Sequence, residues 1–187
     1  MGIPNVGKST LINILAGRMI AKTGNEPAIT KHQQRIDIGD VIIFLDTPGL
    51  LWPNVENKNS GYRLATTGAI KDTAINHDYI AFFSAEYLLH HYPDYLKTRF
   101  QLEPLPETEQ QLMEAIGKSR GCLRAGGRVD MDRVSKILLA ELRAGMIGRI
   151  SLETPAMMEE ELIEVDIIRE QKAAKKLARK QKKLGSN

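Results

Sequence analysis

The sequence has few of the residues that hold secreted or membrane proteins together. Only one of its 187 residues is a cysteine, which excludes an internal disulfide or a thiolate zinc site and fits a reducing cytosol. No apolar run approaches the length of about 18 residues that a membrane helix needs. The first residues also lack the basic segment and apolar stretch of a secretory signal. The sequence therefore predicts a cytoplasmic protein with no membrane attachment.

The sequence also has little net charge, but its positive and negative residues are unevenly distributed along the chain. The formal net charge is +3, and 42% of the residues are apolar, which is enough for a substantial core. Counted in blocks, the net charge is −3 for residues 1–116, +5 for 117–149, −6 for 150–168 and +7 for 169–187. Both basic blocks therefore lie in the second half of the chain.

Residues 1–76 alternate short apolar runs with Gly, Pro, Asn and Thr loops, which is typical of an α/β unit. The apolar spacing predicts a helix over residues 8–16 that ends at Gly17. Residues 35–38 and 41–46 are predicted to pair as a hairpin through Gly39-Asp40. The second strand is apolar throughout, which predicts burial on both faces. A weaker helical pattern runs over residues 61–76.

Residues 77–153 are predicted to be helical after a last strand signal at 79–83. Pro93 must break the helix of residues 87–100. Thr108 and Gln111 suit a capping box, and Asp130 suits the start of a helix that ends near Gly145. Residues 154–187 form a charged tail, predicted to be frayed, disordered or a solvated helix.

The residues that carry chemistry stand at the start of the chain. Residues 2–9 (GIPNVGKS) fit G-x-x-x-x-G-K-[ST], the phosphate-binding loop. Its backbone N–H groups form a nest for anions, Lys8 adds a charge at the β- and γ-phosphates, and the Ser9 hydroxyl reaches Mg²⁺. The pattern predicts one nucleotide-binding segment made by Asn5, Val6, Gly7, Lys8, Ser9 and Thr10.

Asp46-Thr47-Pro48-Gly49 follows the second apolar strand. A carboxylate at Asp46 can hold a metal-bound water, and the Gly49 N–H can meet a γ-phosphate. The loop between the two motifs, residues 22–31, contains Thr30, whose hydroxyl is the preferred second protein ligand for Mg²⁺; Thr23 is the rival. Together with the phosphate loop, this pattern predicts a GTPase switch.

The segment that reads guanine in GTPases, N-K-x-D, does not occur in this sequence. Asn57-Lys58-Asn59-Ser60 lacks the aspartate and lies too close to Asp46 to fit another helix and strand. Either base recognition lies elsewhere in a longer parent chain, or the protein is not specific for guanine.

These motifs together closely resemble the ribosome biogenesis GTPase A family, the circularly permuted YlqF-type GTPases of large-subunit assembly. The resemblance is carried by GIPNVGKSTLIN, AKTG with PAIT, DTPGLLWP and GYRLATTGAIKD, and it continues from GGRVD to RISLE, over residues 2–153. In that family the guanine-reading segments precede the phosphate loop. The resemblance thus implies a permuted, partial P-loop GTPase domain over residues 1–76, with the chain beginning inside it.

The resemblance also implies the ligands. They are GTP or GDP and Mg²⁺, with Ser9, Thr30 and, through water, Asp46 at the metal. Asn5 resembles an asparagine through which some related GTPases bind K⁺, although it equally suits a loop turn. Leu50 stands where many GTPases keep a water-orienting Gln, so no catalytic residue is assigned. Of the four histidines, His32 is a weak candidate for the γ-phosphate, and His90-His91 is predicted to be surface.

The composition of residues 117–149, the block with a net charge of +5, favours RNA binding. It contains eight basic residues and only three acidic ones, and the glycines between them (Gly117, Gly121, Gly126 and Gly127) would let a phosphate chain approach the backbone. A solvated helix surface is the alternative. No aromatic residue follows Phe100, so phosphate contact and RNA shape are expected rather than base stacking. The predicted RNA-binding residues are Lys118, Arg120, Arg124, Arg128, Arg133, Lys136, Arg143 and Arg149.

The sequence therefore predicts a monomeric GTP-binding assembly factor that binds the rRNA of the large (50S) subunit and is released according to its GTP state. By resemblance, residues 77–153 are the rRNA-binding all-α domain. A scaffold that binds RNA and carries an incomplete or vestigial nucleotide site is the alternative. An adenine-nucleotide P-loop enzyme is a third possibility, which the D-T-P-G motif disfavours.

Overall fold

The computed structural model describes residues 2–24, 30, 32–38, 42–51, 55–70 and 76–184, with the side chains of Ile38, Ile42 and residues 179–184 left aside. The predicted Gly39-Asp40 turn, Val41 and most of the 22–31 loop lie outside these residues. The chain forms two compact units, residues 1–53 with 62–150 and residues 54–61 with 151–187. The predicted boundary at residue 76 lies inside the first unit.

The nucleotide-binding motifs lie on one helix and one hairpin. Helix α1 spans Lys8–Ala16, with Gly7 and Gly17 in left-handed conformations at its two ends. Strands β1 (Gln34–Ile38) and β2 (Ile42–Asp46) pair antiparallel, with Ile36 opposite Phe44. The helix bounds and the hairpin agree with the sequence analysis.

The prediction that β2 is buried on both faces is wrong. Ile43 and Leu45 are each 56% exposed. Ile43 and Leu45 lie on the same face of the strand. The described sheet has only two strands, and no other described element covers this face. Leu11, Ile14 and Leu15 of α1 are also exposed. The small core of this region consists of Ile12, Ala21 and Ile36.

Helix α2 (Lys58–Thr66) begins and ends earlier than the weak pattern over 61–76 predicted. The Asn57 side chain accepts the Ser60 N–H at 2.9 Å and starts the helix. At the other end the N–H groups of Gly68 and Ala69 turn back to Ala65 and Leu64, the pattern of a Schellman cap. Gly68 has φ 75°, which permits that turn. Residues 71–75 of the predicted helix lie outside the described residues.

Four helices follow in the first unit: α3 (His77–His91), α4 (Pro93–Phe100), α5 (Glu109–Ser119) and α6 (Met131–Arg143). The strand signal at 79–83 is wrong, because those residues lie within α3, where Ile80 and Ala81 pack into the helical core. Pro93 separates α3 from α4 as predicted. The Thr108 and Asp130 side chains accept the N–H groups of Gln111 and Arg133, which confirms both predicted caps.

The helical core is much larger than the core beside α1. Its fully buried members include Leu88 of α3, Leu96 of α4, Met113 and Ile116 of α5, and Leu138 of α6. These large apolar side chains at helical spacing explain why α3–α6 pack together.

The second unit contains the charged tail, which forms one long helix, α7 (Pro155–Leu184). This agrees with the solvated-helix interpretation. Within the unit, Arg169 donates to Glu56 at 2.7 Å and to Asp166 at 3.1 Å. No described helix has the length and apolarity to cross a membrane.

Candidate nucleotide and magnesium site

A cleft of about 530 Å³ opens at the phosphate loop. It is lined by residues 4–10, 22–24, 30, 49 and 67, together with Ala140, Arg143 and Ala144 of α6. All of the predicted nucleotide-binding residues therefore line one cleft. The sequence analysis did not place Thr67 or Arg143 at this cleft, because their presence here depends on how α6 packs against the end of α2.

The phosphate loop has the backbone of an anion nest. Asn5 and Gly7 have φ values of 59° and 80°, both left-handed, and alternating backbone hands turn successive N–H groups toward one side. Gly7 leads directly into α1, whose first turn presents further N–H groups. The Lys8 ammonium donates to the Ile3 carbonyl at 2.6 Å and more weakly to the Gly2 carbonyl at 3.4 Å. The Lys8 side chain is thus bound by backbone carbonyls at the start of the same loop.

Three oxygen-bearing side chains meet at the base of this cleft. The Ser9 hydroxyl lies 3.4 Å from the Thr30 hydroxyl, and the two donate to Asp46 Oδ2 at 3.1 and 3.3 Å. Asp46 is only 3% exposed. Its other oxygen, Oδ1, is buried and has no hydrogen-bond partner among the described residues.

This arrangement fits Mg²⁺. A buried carboxylate is costly unless a cation or donors compensate its charge, and Asp46 Oδ1 is uncompensated by the described residues. One carboxylate and two hydroxyls are hard oxygen donors, but too few for an all-protein cage, as expected where phosphates and waters complete the shell. Thr23 and Thr30 both line the cleft, but the Thr30 hydroxyl is the one that contacts Ser9 and Asp46, so the geometry favours Thr30 over its rival.

The D-T-P-G loop (residues 46–49) lies against the phosphate loop. The Leu50 N–H donates to the Gly2 carbonyl at 3.2 Å, and Gly49 packs against the backbone of Pro4. Leu50 itself is 65% exposed. His32 is exposed, and so are His90 and His91, as predicted for the surface pair.

The eight predicted RNA-binding residues divide into two groups. Arg120 pairs with Glu141 at 2.9 Å, and Arg124 and Lys136 pair with Asp130 and Asp132 at 2.8 and 2.6 Å, while Arg143 donates to backbone carbonyls. Arg120, Arg124 and Lys136 are nevertheless exposed, whereas Arg143 is half-buried. The remaining four side chains are also exposed: Lys118, Arg128, Arg133 and Arg149.

The ion pairs shift the ionisation of their members. The hydrogen bond from Arg124 lowers the pKa of Asp130, and the same bond raises the pKa of Arg124. The hydrogen bond to Asp132 raises the pKa of Lys136.

The interleaved glycines do not act alike. Gly117 is buried, and a Cβ there would lie within 2.8 Å of the Val134 side chain, so this glycine serves helix packing and the prediction that it opens the backbone to RNA is wrong. Gly121, Gly126 and Gly127 have positive φ and are exposed. They form turns beside the basic residues.

Comparison with known proteins agrees with this site. The sequence profile of the family described as 50S ribosome-binding GTPase matches residues 1–118. Ribosome biogenesis GTPase A of Bacillus cereus is 49% identical over 170 residues, which cover 91% of this chain and 57% of that protein. Its namesake from Thermotoga maritima is 29% identical over 155 residues, or 83% and 55% of the two chains. The chain thus spans a little more than half the length of these relatives.

Two solved structures have a similar fold. A GDP-bound structure of TM YlqF aligns with a TM-score of 0.55 and 25% identity, covering 82% of this chain and 58% of that one. A GNP-bound YlqF from T. maritima aligns with a TM-score of 0.54 at the same identity.

Proposed function

Because the chain belongs to the 50S ribosome-binding GTPase family, we propose that it acts as a GTP-binding assembly factor in maturation of the large ribosomal subunit. In this proposal it binds rRNA in the cytoplasm as a monomer and is released according to its nucleotide state. The observation that carries the proposal is the cluster of Ser9, Thr30 and buried Asp46 beneath the phosphate loop. This cluster brings three separate sequence motifs to one point.

The fold assignment is part of the proposal. Residues 1–76 would be part of a circularly permuted P-loop GTPase domain, and residues 77–153 an all-helical RNA-binding domain. The antiparallel hairpin beside α1 and the helical core of α3–α6 support this division.

Four residues at the cleft have proposed roles in binding Mg²⁺ and the phosphates. Ser9 and Thr30 would hold Mg²⁺ through their hydroxyls, and Asp46 would hold one of its waters. When bound, the ion would supply positive charge that compensates the negative charge of the phosphates. The Lys8 ammonium, now on the carbonyls of Ile3 and Gly2, would exchange these neutral acceptors for phosphate oxygens, which bind an ammonium more strongly.

Hydrolysis needs a group that orients water, and Leu50 supplies none. We therefore expect hydrolysis by this chain alone to be near background, with the water ordered by another residue or by the ribosomal partner. Asn5 is the candidate for K⁺, which adds positive charge beside the phosphates in this proposal.

For RNA, the exposed side chains of Lys118, Arg128, Arg133 and Arg149 supply positive charge. Binding through them would depend on phosphates and RNA shape. The alternative function, an RNA-binding scaffold with a vestigial nucleotide site, shares this surface and differs only at the cleft.

Calorimetry with Mg²⁺ and GTP, GDP or ATP tests the proposal. The unaltered chain should bind GTP, and Lys8→Ala should weaken binding at least about tenfold, the loss of about 1.4 kcal/mol. Lys97→Ala, which removes an exposed ammonium on α4, is the matched control and should bind normally.

The three candidate functions give different results. Without an N-K-x-D segment, GTP and ATP should differ by less than about tenfold. RNA binding with no nucleotide binding would favour the scaffold and contradict the proposal. A strong preference for ATP would favour the adenine-nucleotide enzyme.

A further inference from the structure

Three successive backbone carbonyls at the end of α2 are bound by side chains from two different parts of the first unit. Arg143, the last residue of α6, donates through Nε to the Thr66 carbonyl and through a terminal nitrogen to the Ala65 carbonyl, both at 2.9 Å. The third carbonyl, that of Thr67, accepts Asn5 Nδ2 of the phosphate loop at 3.3 Å. The end of α2 therefore lies between α6 and the phosphate loop.

The chemistry of this junction suits an arginine. Carbonyls at a helix C-terminus carry partial negative charge and lack the usual i+4 partner. Here the Ala65 carbonyl also accepts the Gly68 N–H at 2.9 Å. A planar guanidinium can bond two adjacent carbonyls at fixed directions, whereas a lysine ammonium acts as a point charge. Arg143 therefore fixes the orientation of the last turn of α2 as well as its position.

The junction is also tightly packed. A Cβ at Gly68 would lie 2.9 Å from Asn5 Nδ2, 3.3 Å from Arg143 Nε and 3.4 Å from Arg143 Cζ. Asn5, which precedes Gly68 in the sequence, and Arg143, which follows it, thus both lie next to this glycine. Any displacement of the guanidinium changes the space next to the Asn5 amide.

The same turn is anchored on a third side. Thr66 is fully buried, and its hydroxyl lies 3.0 Å from the Ser84 hydroxyl of α3. Ser84 in turn donates to the Ile80 carbonyl at 2.7 Å. Because α3 and α6 both hold the end of α2, this turn moves with the helices, and Asn5 is attached to it.

We propose that Arg143 is a positioning residue for the nucleotide site, acting on Asn5 of the phosphate loop through the end of α2. A shift of α6, such as RNA binding at its exposed Arg133 would cause, then alters the phosphate loop. The consequence for nucleotide binding rests on the proposed function; the structural link to Asn5 does not.

The first experiment needs no nucleotide. In ¹⁵N-labelled protein, the side-chain amide of Asn5 and the backbone amides of residues 5–8 report on the phosphate loop. Arg143→Gln and Arg143→Lys should both shift or broaden these resonances, and the lysine variant should restore them only in part. Lys97→Gln removes an exposed positive charge from α4 and should leave them unchanged. Unchanged Asn5 resonances in both Arg143 variants, with the α3–α5 resonances intact, would overturn the proposal.

The second experiment is a double-mutant cycle in the affinity for Mg²⁺–GTP. If Arg143 acts through Asn5, Arg143→Gln should weaken binding about fivefold in the unaltered chain and have little further effect beside Asn5→Ala. Additive losses would mean that Arg143 does not act through Asn5, and would overturn the proposal. Absence of GTP binding by the unaltered chain would instead contradict the proposed function, and the resonance experiment would still decide the link.

Discussion

Gly49 lies against Pro4 so closely that a Cβ at position 49 would be 2.5 Å from both the Cα and the nitrogen of Pro4. The D-T-P-G loop and the phosphate loop therefore touch through their backbones. The Leu50 N–H bond to the Gly2 carbonyl, at 3.2 Å, fixes the same contact. The φ of Gly49 is not positive. Glycine is therefore required at this position by the lack of space for a side chain and not by the backbone conformation. Two motifs that are distant in sequence are thus in direct backbone contact at the cleft.

Gly49→Ala should separate the two loops. The added methyl group meets backbone atoms, which cannot rotate away, so we expect a destabilisation of about 1–3 kcal/mol and weaker GTP binding. Urea denaturation and calorimetry measure the two effects. Gly61→Ala is the matched control, since a Cβ there meets only Val55 at 3.9 Å. Equal stability of both variants would contradict the close contact.

Ser9→Ala should weaken the Mg²⁺-dependent binding of GTP more than that of GDP. If Thr30 joins the metal ligands only when a γ-phosphate is present, as we propose, the triphosphate should depend more on the metal. We expect the loss for GTP to be about tenfold, which corresponds to one charge-assisted interaction. Titrations of each nucleotide over a range of Mg²⁺ concentrations provide the measurement. Ser119→Ala, at the end of α5, should bind normally, and equal losses for GTP and GDP would argue against the Thr30 assignment.

Acid should remove the contribution of the Asp130 carboxylate to stability. The hydrogen bond from Arg124 lowers the pKa of Asp130, so the folded state binds a proton less readily than the unfolded state. The stabilisation is therefore present above the ordinary aspartate pKa of about 3.9 and is lost as the pH falls through the lower folded value. Asp130→Asn keeps a capping oxygen but no charge.

The variant should consequently be less stable than the unaltered chain at neutral pH and approach it in acid. Urea denaturation at pH 7 and near pH 3 compares the two. A gap of the same size at both pH values would show that the charge of Asp130 contributes nothing.

Removal of residues 169–187 should reduce the salt dependence of RNA binding. Each phosphate neutralised adds roughly 0.7–0.9 to the slope of log affinity against log salt concentration, and this segment carries a net charge of +7. The slope should fall by several units, as measured by fluorescence anisotropy with a labelled RNA hairpin. Deletion of residues 185–187, which carry no charged side chain, is the control. An unchanged slope after the longer deletion would mean that the segment does not contact RNA.

Local signals predicted much of the fold. The bounds of α1 follow from its apolar spacing and from Gly17, and the caps at Thr108 and Asp130 depend only on residues three positions away. The sequence also grouped Ser9, Thr30 and Asp46 as one predicted metal site, and the structure brings these three side chains into contact. Interactions within one or two turns of chain are readable from sequence.

The rest depends on tertiary contacts. The Arg143 side chain acts on carbonyls 77 and 78 positions earlier, and the sequence describes it only as one of eight basic residues. The strand-like residues 79–83 are helical because α3 buries Ile80 and Ala81 in a shared core. Likewise, apolar composition alone predicts burial for β2, whereas exposure depends on which layers lie beside it.

The unequal size of the two cores has a consequence for folding cooperativity. Among the described residues, the cluster beside α1 buries three apolar residues, whereas the helical cluster buries sixteen. Since the free energy of local opening follows buried apolar area, the phosphate-loop region should open and reclose while the helices stay folded. A ligand that binds only the closed form suppresses such opening by mass action. Amide exchange in α1 and the hairpin, followed as Mg²⁺ and nucleotide are added, would therefore slow long before exchange in α3–α6 changes, so that nucleotide binding completes the folding of its own site.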